Sequence, residues 1–227
     1  MTSHLEPYGL PFMNGFASRA ANKRGYETPA GLLPGVTTVL GKTSAGKEKL
    51  ENWLKRPDSE AIGKAARDRG TWYHGQVENW IQGIPNDKHF AFGAYWRNAK
   101  PWYEEHFVGA IGIEKPIWHP KGFSGTFDCL GYANYGSTPD ALTIFDWKTA
   151  AKARKPDLLE DYYCQLGAYT AGLQHSYNMR PERALLVIAR PHADGPDVFE
   201  LDTEKLAHYE SEFFRRLKTY YSMPSDT

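Results

Sequence analysis

The sequence predicts an α/β fold with a helical elaboration ahead of the sheet, and three observations carry that prediction. Between Lys47 and Phe107 the apolar and aromatic residues recur at helical spacing. From Ile111 onward they gather into short β-branched and aromatic runs bounded by Gly, Pro, Ser and Asn. Two more helical patterns are then interleaved with two more such runs, which gives the order helices, three strands, helix, two strands, helix. The 227 residues are 41% hydrophobic and 14% aromatic, enough for one substantial core. A single domain over 1–227 is expected.

Residues 1–30 are rich in Gly, Pro, Asn and Ser without a period and read as an extended arm. A helical section follows over 31–108, and the αβ part occupies 109–227. Leu33 to Leu40 reads as a short strand or a turn. It runs into Gly41-Lys42-Thr43-Ser44-Ala45-Gly46-Lys47-Glu48, which is close to a phosphate-binding P-loop except that Glu48 stands where a magnesium-binding Ser or Thr belongs. Leu50, Trp53 and Leu54 mark a short helix ended by Pro57, with Asp58 capping the next. That second helix carries Ala61, Ile62, Ala65 and Ala66 into Gly70-Thr71-Trp72-Tyr73-His74, and on it His74 and Glu78 lie one turn apart on one side. Phe90 to Phe107 reads as an aromatic helical region that Pro101 kinks or divides.

Ile111, Ile113, Ile117 and Trp118 indicate the first strand, Gly122 to Leu130 the second and Thr143 to Thr149 the third. The loop from Asn134 to Pro139 makes the second and third an antiparallel pair, a hairpin able to set Asp128 beside Asp146. Asp157-Leu158-Leu159-Glu160 has the form of a capping box for a helix with Tyr162, Leu166, Tyr169 and Leu173 inward and Gln165 on the face of Tyr169. Ala184 to Ala189 and Val198 to Leu201 read as the last strands. Leu206, Tyr209, Phe213, Leu217 and Tyr220 mark a closing amphipathic helix.

Lys plus Arg and Asp plus Glu both total 27, so any site for a polyanion is a local patch rather than a global charge. No apolar run reaches membrane-spanning length, and Met1 to Pro7 lacks a basic segment followed by an apolar one. A soluble, intracellular, cytoplasmic protein is expected, with no membrane partner. Cys129 and Cys164 are the two cysteines, too few for a four-cysteine zinc or iron–sulfur site.

The chemistry concentrates in Asp146-Trp147-Lys148-Thr149. On a strand, Asp146 and Lys148 share a face and Trp147 takes the other. A buried acid beside a buried base is costly without a metal, a substrate or a third partner. Asp128, Asp146 and Lys148 suit metal-assisted phosphodiester hydrolysis, with the carboxylates holding one or two ions and Lys148 orienting a water, helping to deprotonate it or offsetting charge on the phosphate. Blander readings stand beside these. An isolated Asp-x-Lys is a surface ion pair, His74 a hydrogen-bonded structural histidine, Glu78 a solvated helix residue and Tyr169 core. Lys152, Arg154 and Lys155 meet a nucleic-acid backbone or form a solvated loop. A P-loop nucleotidase and a zinc peptidase built on His74 and Glu78 are the rival enzyme classes, the latter lacking its second histidine.

Together, Gly70-Thr71-Trp72-Tyr73-His74 with Glu78, Gly125-Thr126-Phe127-Asp128, Asp146-Trp147-Lys148-Thr149 and Gln165-Leu166-Gly167-Ala168-Tyr169 resemble, in order, the PD-(D/E)XK nuclease superfamily in its RecB-like exonuclease branch, which includes phage enzymes. Val36 to Leu40 is similar to that family's Val-Thr-rich opening segment. The resemblance implies a restriction-endonuclease-like core, a central mixed sheet flanked by helices, with the N-terminal helices as a wall or arch over a DNA channel. It implies Asp128 and Asp146 as metal ligands joined by His74 and the Trp147 backbone carbonyl, and Lys148 as the catalytic lysine. Gln165 and Tyr169 become auxiliary, with Glu78, Thr149 and Lys152 as further substrate-side candidates. The implied activity is a Mg2+- or Mn2+-dependent DNA exonuclease acting at free ends on single-stranded or unwound DNA, without an iron–sulfur cluster. Repair, recombination and a phage origin are its expected settings. A structure-specific endonuclease and a non-catalytic DNA-binding module are the alternatives on the same fold.

Overall fold

The computed structural model describes His4, Leu10 and residues 17–19, 25–136, 138–155 and 159–224. Three short strands, β1 (Ser18–Arg19), β2 (Gly25–Thr28) and β3 (Gly31–Pro34), form a small antiparallel sheet. Four helices follow: α1 (Val36–Thr43), α2 (Lys47–Leu54), α3 (Ser59–Gln82) and α4 (Gly93–His106). The rest is β4 (Phe107–His119), β5 (Phe123–Ala133), β6 (Leu142–Thr149), α5 (Glu160–Tyr177), β7 (Arg183–Ala189), β8 (Asp197–Leu201) and α6 (Thr203–Ser222).

Strands β4 to β8 form one mixed sheet in sequence order. Neighbours are antiparallel except β6 and β7, which run parallel because α5 carries the chain back between them. Each face of the sheet has its own core. On one, Val39 of α1, Leu166 of α5 and Phe213 of α6 pack with Ile144 and Leu186. On the other, Tyr73 of α3 and Trp96 and Tyr103 of α4 pack with Phe145, Trp147 and Val187. The mixed α/β architecture expected from the element order is therefore present, with helices on both faces.

Several local expectations change. The arm is not simply extended, since β1 and β2 pair within it and β2 pairs onward with β3, just beyond it, where the Leu33 and Pro34 carbonyls accept from Ser124 Oγ of β5. Leu33 to Leu40 divides: Pro34 ends a strand, and Val36, Val39 and Leu40 then bury one helical stripe, so packing overrides their β-branched preference. Gly41 to Thr43 close that helix, so this segment is not the strand–loop–helix cradle of a P-loop. Asp58 takes the N-cap position of α3 without a side-chain capping bond. Pro101 lies inside α4 without dividing it, because Ala99 and Tyr103 on either side are anchored in the core. The capping box falls partly outside the described residues, at Asp157 and Leu158; α5 begins after a buried Leu159 at its N-cap.

Buried Arg216 of α6 ties the layers together by donating to the Leu40 carbonyl, Thr43 Oγ1 and Asp161 Oδ1. These bonds hold α1 and α5 in fixed relation to α6.

Candidate metal centre and catalytic cleft

The centre is built where β4, β5 and β6 meet α3 and α5. In β6, alternation sends Trp147 into the aromatic core against Tyr103, while Asp146 and Lys148 share the other side. Asp146 is fully buried. Its Oδ2 lies 2.5 Å from Lys148 Nζ, and its Oδ1 accepts from Gln165 Nε2 at 3.0 Å. Gln165 Nε2 also reaches the Tyr169 hydroxyl at 3.1 Å. Burial pushes the Asp146 carboxyl up, opposed by the Lys148 ammonium. For Lys148, burial works downward but the Asp146 and Asp128 charges outweigh it and hold the ammonium above its ordinary range. At neutral pH the pair is carboxylate and ammonium. The Lys148 ammonium also lies 5.4 Å from the Tyr162 ring centre.

Asp128 sits on β5 just past the Cys129–Phe145 pair, and its Oδ2 accepts from the Trp147 amide at 2.7 Å. From α3, His74 Nε2 meets the Trp147 carbonyl at 2.9 Å. A carbonyl only accepts, so Nε2 carries the proton and donates. The other ring nitrogen, Nδ1, faces Glu114 Oε1 at 3.7 Å and Asp128 Oδ2 at 3.8 Å. Burial would depress the His74 pKa, but Asp128 and Glu114 together hold it up at about 9.

One donor atom each from His74, Glu114 and Asp128 lies within 4.8 Å of the others, a group that could hold a metal ion. Glu114 falls between the pairs Ile113–Cys129 and Lys115–Phe127, directly across from Asp128. Like charges facing each other on neighbouring strands repel. Glu114 also adopts a φ of 47°, unfavourable for a side chain with a Cβ. A cation between the two carboxylates removes the repulsion, and the imidazole orientation set by the Trp147 carbonyl is the arrangement that metal-binding histidines use.

These residues open onto a cleft of about 610 Å³ lined by, among others, Thr71, His74, Glu78, Glu114, Asp128 and Lys148. Glu78 shares the His74 side of α3 as expected, and burial followed by the Glu114 charge raises its carboxyl above the ordinary range. Gln165 and Tyr169 form part of the wall. Gly125 is needed there, since a Cβ on it would meet the Tyr169 ring at 2.8 Å. That close approach links two of the sequence motifs physically.

Not every expected residue reaches the centre. Asp146 lies beneath the cleft with its oxygens on Lys148 and Gln165, and it is absent from the three-donor group. The Trp147 carbonyl accepts from His74 and so orients that ring. Thr149 Oγ1 accepts from Arg69 Nε at 3.0 Å, tying β6 to α3. Lys152 is exposed and does not line the cleft. Glu114 was not among the expected residues. Its signal was available: counting equal steps back on both sides of the turn before Phe123 places this acid, the one carboxylate in β4, across from Asp128.

No protein-family model and no curated protein matches the chain. Among solved structures, one titled "Crystal structure of SSO0001" is similar at 12% identity over 87% of this chain and 79% of that chain, with a TM-score of 0.41. A likeness at that level carries no argument. Among the described residues no helix is long and apolar enough to cross a membrane.

Proposed function

We propose that this protein is a divalent-metal-dependent DNA exonuclease of the PD-(D/E)XK kind, acting from ends on single-stranded or unwound DNA. One observation carries the reading: a cross-strand carboxylate pair and a preoriented histidine share a cleft with a lysine whose charge is fixed by a buried aspartate. Hydroxyl-rich or purely apolar clefts have no use for that set.

His74, Glu114 and Asp128 would hold Mg2+ or Mn2+, as one or two ions. The ion supplies polarisation of a phosphate oxygen and a lowered pKa for bound water. Hydrolysis joins the oxygen of water to phosphorus and breaks the bond to one sugar oxygen, the water giving up a proton and the leaving sugar oxygen taking one up, and negative charge builds on the phosphate as it proceeds. Lys148, held beside Asp146 as an ion pair, would offset that charge or orient the water. Gln165 fixes the rotamer of Asp146 and, through Tyr169, the wall beside Gly125.

Linear and circular DNA, single- and double-stranded, are incubated with Mg2+, Mn2+ or EDTA. The expected result is loss of label from linear ends with either metal, circles left intact and no reaction in EDTA. Lys148→Ala is expected to slow cleavage at least about a hundredfold, within the span of charge-stabilising contributions. Cleaved circles would make the protein an endonuclease. DNA binding without turnover would make it a non-catalytic module, and full activity in EDTA would sink the metal reading.

A further inference from the structure

The catalytic cleft does not end at its acidic centre. A second compartment of about 500 Å³ adjoins it, and Tyr26, Gly35 and Thr37 line both. Its remaining lining is Gly25, Thr38, Gly41 and Lys42. The two compartments differ in charge. Glu78, Glu114 and Asp128 line the first, whereas among the described residues no carboxylate lines the second, which has hydroxyls, glycines and one lysine.

Helix α1 explains the layout. Val36, Val39 and Leu40 bury its inner stripe, leaving Thr37 and Gly41, one turn apart, and Thr38 and Lys42, also one turn apart, on the outer surface. The outer row leads away from the metal centre. Lys42 marks its far end, with Nζ 5.9 Å from the Tyr220 ring centre. A Cβ built on Gly41 meets nothing within 4 Å, so this part of the surface is open to close approach. At the near end, the Tyr26 hydroxyl lies 2.9 Å from Thr126 Oγ1, two residues from Asp128 on β5, which fixes an aromatic ring at the junction of the compartments.

We infer that this second compartment is a substrate subsite, and that it takes the sugar–phosphate backbone of the strand adjoining the scissile bond. The inference rests on the nuclease reading. Polynucleotide has the right chemistry for both halves: a phosphate with its metal at the acidic centre, and further phosphates where the described lining offers hydroxyls, glycines and a lysine. Tyr26 supplies a π-face for a base at the junction.

The test compares kcat/KM for a labelled single-stranded oligonucleotide with that for bis(p-nitrophenyl) phosphate, a diester too small to span both compartments. Gly41 is the position to change, because side chains are favoured over glycine in an exposed helix and the space is open. Gly41→Glu is expected to lower the oligonucleotide-to-diester ratio about fivefold, and Gly41→Lys to raise it by a similar factor. Both effects should shrink as salt is added. Gly41→Ala separates bulk from charge. A ratio that ignores the charge at this position, or equal falls with Glu, Lys and Ala, overturns the subsite while leaving the nuclease reading intact. No turnover of either substrate by the wild-type protein with Mg2+ or Mn2+ overturns the nuclease reading and the subsite with it.

Discussion

Trp147 and its neighbours Asp146 and Lys148 stand on opposite sides of one strand and meet opposite environments. On the Trp147 side, Tyr73, Trp96, Tyr103, Phe145 and Val187 close an aromatic core that hydrophobic burial alone accounts for. On the other side, a fully buried carboxylate is held by an ammonium and an amide beside two more carboxylates and a histidine. Desolvating such a set costs more than packing apolar residues of the same volume. The difference separates what β6 does for the fold from what it offers the proposed chemistry. Its hydrogen-bonding edge joins the two, since the Trp147 amide and carbonyl orient Asp128 and His74.

Trp147→Ala should have the largest effect on stability, about 3–5 kcal/mol in urea unfolding, as expected for truncating a buried aromatic residue. A loss below about 1 kcal/mol would mean that the aromatic face is not the anchor described here. The polar face should behave in the opposite way. The double substitution Asp146→Asn with Lys148→Met keeps an acceptor for Gln165 and removes the charges, so stability should stay within about 1 kcal/mol of the parent or rise, while DNA cleavage disappears. A double variant that unfolds as readily as Trp147→Ala would show that the ion pair is structural.

A smaller effect lies at His119, at the end of β4. Its ring stacks on Phe123 and its Nδ1 accepts the Lys121 amide at 3.1 Å, a bond that protonation would break. Burial first, then His175 and Lys121, lower its pKa to about 4. The unfolded chain therefore binds this proton first. The neutral ring's contribution is complete above about pH 6.5 and is lost as the pH falls from there toward 4. For a half-buried group the loss is at most about 1 kcal/mol. In EDTA, His119→Asn, which keeps an acceptor near Nδ1, should show a smaller drop in urea midpoint between pH 7 and pH 5 than the parent. Equal drops would assign the acid sensitivity elsewhere.

Much of this contrast was legible in the sequence because alternation on a strand is a strong constraint. Asp146 and Lys148 had to share a side, Trp147 had to oppose them, and the order of strands and helices after Ile111 followed from the change of period there. His74 entered only through the resemblance carried by Gly70 to His74, since its place one turn before Glu78 reads equally as a structural histidine. Glu114 was missed although its signal was there, since a lone acid in an apolar strand reads as solvent-facing until equal steps are counted back from the turn before Phe123 and set it against Asp128. The α1 segment misled because its β-branched residues favour strands locally, and only the buried stripe of Val36, Val39 and Leu40 makes it a helix. The arrangement of Asp146 was half legible: its nearness to Lys148 was, but not that Gln165 and Lys148 would occupy both its oxygens.

The metal centre proposed beside the polar side of this strand is formed by His74 of α3, Glu114 of β4 and Asp128 of β5. Calorimetric titration of Mn2+ into the parent protein and into Glu114→Gln tests it most directly. Saturable binding by the parent, weakened at least about tenfold in the variant, is the predicted result. Equal affinity in the two proteins, or no binding by the parent, would contradict it.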